Sequence, residues 1–325
     1  MNEALELLRD ARRVAIVSHR DPDGDTIGSG LTLALALEQL GKTASLHCAD
    51  PVPDSMVFLD GSERFSAVPP PDDVDLVVTV DHGDLSRTKL PLPHGVPILN
   101  VDHHASNAMF GTVNVVDATS AATGEMIARF VDALGVAWTP AMATATLIAI
   151  MTDTGSFQFP NTDARVHRLA ARLLEVGANL PAVTYNVFRT RRFEALTLWG
   201  LAFSRLERDV DGQLVWTWLE PEDQERARAK DEDASGLVEQ VARSKGMRVT
   251  LLFNAIGSPG AVKISCRTSP FEPAVDAAAL MGRSGGGGHA RAAGAIVPGA
   301  LDEVRGRVLE EARLALAVAR ELARG

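Results

Sequence analysis

Short apolar runs in this chain repeatedly end in residues able to hold a metal ion. Val14–Val17 leads through Ser18 into His19-Arg-Asp-Pro-Asp23-Gly-Asp25. Leu76–Val80 leads into Asp81-His82-Gly83, and Ile98–Val101 into Asp102-His103-His104. Each run has the apolar, β-branched character of a strand buried on both faces. Separate strands thus deliver carboxylates and imidazoles at their C-terminal ends, the edge where open parallel α/β sheets bind ligands. A further apolar segment, Ala145–Met151, has helical spacing and ends in Thr152-Asp153-Thr154-Gly155, adding one more carboxylate.

Carboxylates gathered within a few ångströms repel one another, and burial adds a desolvation cost, so some must take up protons unless a cation joins them. Mixed carboxylate and imidazole donors suit Mn2+ and related ions, whereas thiolates favour structural zinc. Neither Cys48 nor Cys266 lies near these segments in the sequence. A pair of ions about 3.5–4 Å apart is a standard arrangement for in-line attack on phosphorus. An Asp after a strand is often only a turn former or helix cap, and Asp25, just before Thr26 and Ile27, fits an N-cap. Capping alone does not account for the recurrence of such segments with histidines among them. His47, His94 and His167 have no such company and read as ordinary histidines. Gly24, Gly28 and Gly30 partly match a dinucleotide-binding pattern, but the interleaved aspartates repel a pyrophosphate unless metals intervene.

The elements that must position these residues follow from pattern. The first half alternates β-rich runs with helical segments, which predicts an α/β fold with a parallel sheet covered by helices. Strands are expected over Val14–Val17, Thr43–Cys48, Leu76–Val80 and Ile98–Val101. Helices are expected over Ile27–Leu40, with Gly41 as its C-terminal cap, and over Ala121–Leu134, Pro140–Met151, Asp163–Glu175 and Pro181–Phe188. Residues 1–188 form the expected first domain and 189–208 a connector helix. Residues 209–325 form a smaller α/β domain with strands Gln213–Leu219, Arg248–Ala255 and Ala261–Arg267, a glycine-rich loop and a closing helix.

Composition narrows the function. Asp and Glu outnumber Lys and Arg by 42 to 32, a net charge of −10, which argues against tracking long nucleic acid by phosphate neutralisation alone. A small anionic substrate is compatible, because bound cations supply local positive charge. Two distant cysteines fit free thiols in a reducing cytosol. The charged N-terminus does not read as a secretory signal, and no apolar run reaches membrane-spanning length. A cytoplasmic protein with no membrane partner is expected.

These segments resemble the DHH phosphoesterase family, named for the triplet found here as Asp102-His103-His104. His19-Arg-Asp-Pro-Asp-Gly-Asp25 looks like its first motif and Thr152-Asp153-Thr-Gly its fourth. Ile264-Ser-Cys-Arg267-Thr-Ser and Arg283-Ser-Gly-Gly-Gly-Gly-His289-Ala-Arg-Ala-Ala-Gly294 resemble the associated DHHA1 domain. The resemblance spans essentially the whole chain and is most similar to the nanoRNase and 3′-phosphoadenosine-5′-phosphate phosphatase branch.

It implies that His19 and Asp23 hold one Mn2+ and Asp25, His103 and Asp153 a second, bridged by Asp81, with Mg2+ or Co2+ as substitutes. It places His104 against the scissile phosphate and gives Asp102 the task of orienting the imidazoles. The family usually has a small residue where His82 stands, which leaves His82 as an extra contact or a packed bystander.

In the second domain, four successive glycines let the backbone approach an anion closely. Arg267, Gly287, Gly288 and His289 are the expected substrate contacts, and a domain holding the far end of a short substrate acts as a ruler. Short RNA or DNA oligonucleotides and small phosphorylated nucleotides are the expected partners, with a homodimer left open. Rivals are a cyclic- or linear-dinucleotide phosphodiesterase, a pyrophosphatase, a RecJ-like exonuclease, and a metal- and nucleotide-binding regulator without turnover.

Overall fold

The computed structural model describes residues 1–209, 211–257 and 260–323. Its internal contacts separate Met1–Thr190 from Arg191–Gly325.

The first unit is built on a parallel sheet. Helix α1 (Asn2–Asp10) precedes β1 (Arg13–Ser18), α2 (Gly24–Gln39), β2 (Thr43–His47), the short β3 (Phe65–Ser66), β4 (Leu76–Val80), β5 (Ile98–Asp102) and β6 (Val113–Val116). The strand order is β3-β2-β1-β4-β5-β6, and every neighbouring pair is parallel. The order reverses between β1 and β4, so their carboxyl ends open a crevice at the topological switch point. β4 is buried along its whole length, as its unbroken Leu-Val-Val-Thr-Val run requires. β3 and β6 escape the sequence reading because two and four residues carry too little alternation to register.

Helices α3 (Thr123–Leu134), α4 (Pro140–Asp153) and α5 (Ala164–Val176) complete the layers, followed by the single turn α6 (Leu180–Val183). Helix α4 is apolar almost all round because it packs against α2 on one side and α3 and α5 on others. The α2–α4 approach is close. A Cβ on Gly28 would stand 2.1 Å from the Ala145 carbonyl oxygen, so only glycine fits where the two backbones cross. The expected helix over Pro181–Phe188 is instead α6 and then a π-turn, Thr184–Arg189. The Asn186 side-chain amide donates to the Ala182 carbonyl at 2.9 Å, taking the acceptor that an α-helical ladder would use for its own backbone.

The second unit opens with α7 (Phe193–Phe203), the helix expected to be a connector. It packs within this unit. Trp199 Nε1 donates to the Asp233 carbonyl at 2.8 Å, and Thr217 Oγ1 donates to the Ala202 carbonyl. There follow β7 (Glu207–Arg208), β8 (Leu214–Leu219), α8 (Pro221–Ala227), α9 (Leu237–Val241), β9 (Val249–Asn254), β10 (Ala261–Thr268), α10 (Ala277–Gly282), β11 (Gly287–Gly288), β12 (Ala292–Pro298) and α11 (Leu301–Leu322). Their sheet runs β11-β12-β10-β9-β8-β7, with β8 and β9 parallel and the other pairs antiparallel. A core of Leu251, Phe253, Ile264, Val304 and Val308 fills the space between this sheet and α11. No described helix is long and apolar enough to cross a membrane.

Candidate metal centre and glycine-loop pocket

β1, β4 and β5 and the last turn of α4 bring the predicted residues to one place. Donor atoms of His19, Asp23 and Asp81, of Asp81, His103 and His104, and of Asp25, His103 and Asp153 form sets lying within 4.8 Å of one another. Asp81 belongs to two of these sets. It is buried, and its backbone takes the left-handed conformation at φ 64°, unusual for a residue with a Cβ and a common mark of functional sites. His19 Nε2 lies 3.1 Å from Asp81 Oδ2 and 3.8 Å from Asp23 Oδ1. Asp23, rather than Asp25, caps α2, with its Oδ1 accepting from the Asp25 and Thr26 amides at 3.0 and 3.1 Å.

Asp25 is fixed by the start of α3. Its Oδ2 accepts from the Thr123 amide at 2.7 Å, and its Oδ1 from the Gly124 amide at 2.8 Å and from Ser29 Oγ at 3.1 Å. Helix N-terminal amides suit an anion there. The sequence reading does not anticipate this cradle, since the partners lie far apart along the chain and the Thr123-Gly124 pair carries no signal of its own. Burial, and then the neighbouring Asp81 and Asp153 charges, push the Asp25 carboxyl well above the usual carboxylate range. Burial and the charges of Asp23 and Asp153 do the same to Asp81.

His103 supplies the test of whether a cation fits. Its Nε2 stands 3.0 Å from Asp153 Oδ2, 3.6 Å from Asp81 Oδ1 and 3.8 Å from Asp25 Oδ2, yet makes no well-aligned hydrogen bond. A buried ring nitrogen aimed at three converging carboxylate oxygens matches the donor set of a divalent cation. His104 is held differently. Its Nδ1 lies 2.7 Å from Asp102 Oδ1, while Asn107 Nδ2 donates to Asp102 Oδ2 at 2.6 Å. Burial raises Asp102, but the His104 and Asn107 hydrogen bonds outweigh it and hold the carboxyl below its ordinary range. Asp102 is therefore an anion that aims the His104 ring.

His82 has its Nδ1 2.9 Å from the Val80 carbonyl and its Nε2 buried without a partner. Burial pushes it down to about 3, so it is neutral, and it belongs to none of the metal-compatible sets. Cys48 corrects one expectation from sequence distance. Parallel pairing of β1 with β2 brings it beside the centre, where Sγ donates to the His19 carbonyl at 3.3 Å. Burial pushes that thiol up to about 11, so it stays protonated and is no thiolate ligand.

The second unit carries a separate cavity of about 760 Å³, lined in part by Glu239, Lys263, Arg267, Gly287 and Gly288. Gly288 takes φ 144°, and a Cβ there would meet the Ala292 carbonyl oxygen at 2.6 Å, so the hairpin of β11 and β12 requires glycine. His289 follows β11 and lies outside the cavity lining. Its amide donates to the Ala292 carbonyl at 2.8 Å. The sequence reading missed Glu239, whose Oε1 accepts from Arg267 Nε at 3.0 Å and also from Nη2, while Arg267 Nη1 donates to the Cys266 carbonyl at 2.9 Å. The arginine is thus pre-oriented by a carboxylate, and only folding reveals the pairing.

Comparison with known proteins matches these two regions to two families. Residues 13–150 match the DHH family, N-terminal domain, and residues 213–321 match the DHHA1 domain. The chain is 39% identical over 92% of its length, and 89% of the relative, to a Thermus thermophilus protein described as bifunctional oligoribonuclease and PAP phosphatase NrnA. A Bacillus subtilis protein of the same description is 24% identical over 87% of this chain and 89% of its own. The crystal structure of an exopolyphosphatase-related protein from Bacteroides fragilis superposes with a TM-score of 0.87 at 21% identity, covering 100% of this chain and 97% of that one, which shows the same fold. With both domains matched and a relative this similar along nearly its whole length, the chain belongs to the DHH phosphoesterase family, in the branch that joins a DHH domain to a DHHA1 domain.

Proposed function

We propose that this protein is a metal-dependent phosphoesterase that hydrolyses short RNA oligonucleotides and removes the 3′-phosphate from 3′-phosphoadenosine 5′-phosphate. The observation that carries this is Asp81, shared between two donor sets beside an imidazole that a buried carboxylate aims. His19, Asp23, Asp25, Asp81, His103 and Asp153 are the proposed holders of two Mn2+ ions. Such ions, when bound, supply Lewis acidity to a phosphoryl oxygen and lower the pKa of a water molecule.

The protein's own groups do the rest. Asp25 stays in place because amides and a hydroxyl already hold both its oxygens, and Oδ2, with a single donor, keeps a further lone pair for a cation. Asp102 accepts the Nδ1 proton of His104, which leaves Nε2 of that ring to face the scissile phosphate. His104 then stabilises negative charge there or hands a proton to the leaving oxygen. Arg267, Gly287 and Gly288, with His289 at the loop's end, are the proposed contacts for the far end of a short substrate. An arginine held by Glu239 loses little conformational entropy on meeting an anion.

Purified protein with Mn2+ should degrade dinucleotides and short oligomers and release phosphate from 3′-phosphoadenosine 5′-phosphate. Failure on all of these, with metal binding demonstrated, would overturn the assignment. Including cyclic dinucleotides and longer strands in the same panel separates the rival phosphodiesterase and exonuclease activities.

A further inference from the structure

The loops that follow β1 and β4 are tied together by the Arg20 amide, which donates to the Arg87 carbonyl at 2.8 Å. Arg87 sits in a tight turn, Leu85–Thr88, whose start is capped by Asp84 accepting from the Ser86 amide at 2.7 Å. The turn sends its half-buried side chain back to the metal centre, where Nη2 stands 3.1 Å from His19 Nδ1. Among the described residues, no carboxylate is paired with this guanidinium. Other partly buried arginines of the first unit do have such partners, as Arg129 does with Asp117 and Glu125. A permanent positive charge therefore stands beside a cluster of acids without being spent on any of them.

The contact with His19 does not account for it. His19 Nδ1 also lies 2.7 Å from the Arg20 carbonyl, which can only accept. An imidazole whose Nε2 faces a cation carries its proton on Nδ1 and gives it to such a carbonyl. A guanidinium only donates, so in that state Arg87 faces an N–H and lacks an acceptor at the rim of the centre. A planar fork of donors with fixed charge matches the geometry of phosphate oxygens.

We propose that Arg87 is a catalytic residue of this enzyme, whose guanidinium contacts non-bridging oxygens of the phosphate undergoing hydrolysis. It neutralises charge that accumulates on those oxygens, beside the charge that the metal ligands' cations neutralise. This rests on the phosphoesterase reading above.

The test uses the full chain loaded with Mn2+ and compares wild type with Arg87→Gln and Arg87→Lys. Titration calorimetry measures affinity for inorganic phosphate and, separately, for Mn2+. Turnover of 3′-phosphoadenosine 5′-phosphate gives kcat. Arg87→Gln should weaken phosphate binding about tenfold or more and lower kcat on the order of 100-fold, the scale for losing one oxyanion donor, with Mn2+ affinity unchanged. Arg87→Lys keeps the charge and the main-chain contacts but loses the fork, and should recover part of both. The proposal is overturned if Arg87→Gln binds phosphate as wild type does. It is equally overturned if Mn2+ affinity falls in parallel with phosphate affinity, because Arg87 would then merely position His19. Wild-type protein that binds Mn2+ but neither binds nor turns over phosphate compounds would sink the phosphoesterase reading and this inference with it.

Discussion

The two candidate sites are built on opposite principles. In the first unit, side chains converge from three adjacent strands and the end of α4, and several are buried acids whose charges oppose one another. In the second, glycines let the backbone form much of one wall of the cavity, while Arg267, paired with Glu239, and Lys263 supply positive charge. The first stores unfavourable electrostatics that either protons or a cation relieve. The second offers shape, with its arginine already held by Glu239. Such a division suits an enzyme in which one region does chemistry and the other measures the substrate.

The sharpest way to break the comparison is Asp81→Ala. If the shared carboxylate is the hinge of the centre, turnover should fall by several kcal/mol of transition-state stabilisation, roughly 10³-fold at about 1.4 kcal/mol per factor of ten. Steady-state kinetics at saturating Mn2+ would show it, and a residual rate within tenfold of wild type would contradict the shared role. Asp102→Asn is expected to cost less, about 10- to 100-fold in activity, as for other residues that orient a ligand or catalytic ring from behind. Its mark should be a changed pH–rate profile, since the amide no longer fixes which nitrogen of His104 carries the proton.

Arg267→Ala should act on KM, raising it roughly tenfold for oligonucleotides while kcat stays near wild type, because its proposed contact is with the non-reacting end alone. An equal fall in kcat would mean that the cavity takes part in chemistry and the division fails.

Stability against pH gives the smallest but most direct contrast. Asp25 and Asp81 have folded-state pKa values raised above their unfolded ones. Their contribution is fully present below the usual carboxylate range and is lost as pH rises through the raised values. Melting temperature of chelated protein should therefore fall as pH climbs above that range, and Mn2+ should flatten the slope. A chelated protein whose melting temperature is level with pH across that window would show that the acids are not in conflict.

Much of the first site was legible because its chemistry is local in sequence. A run such as Leu76–Val80 announces a buried strand, and the residue after it must emerge at the sheet edge. Arg87, Glu239 and the Thr123 and Gly124 amides were not legible. Their partners lie 68, 28, 98 and 99 residues away, and nothing in an isolated Arg, Glu or Thr-Gly says whom it will meet. The same limit hid the nearness of Cys48 to His19, which follows only from strand pairing. The Pro181–Phe188 helix failed for a local reason instead, a side-chain amide competing with the backbone ladder.

The grip of the α3 N-terminus on Asp25 also dictates an order of events during synthesis. The anchoring amides belong to Thr123 and Gly124, and Asp153, at the last turn of α4, completes the donor set around His103. A growing chain that has already made its His19 and Asp81 segments still lacks both the anchor and the final donor. If the proposed set holds metal, its capture by the full set would wait until residue 153 has left the ribosome and α3 and α4 have docked on the sheet. On the proposed ligand set, metal loading would follow completion of the first unit rather than nucleate its folding.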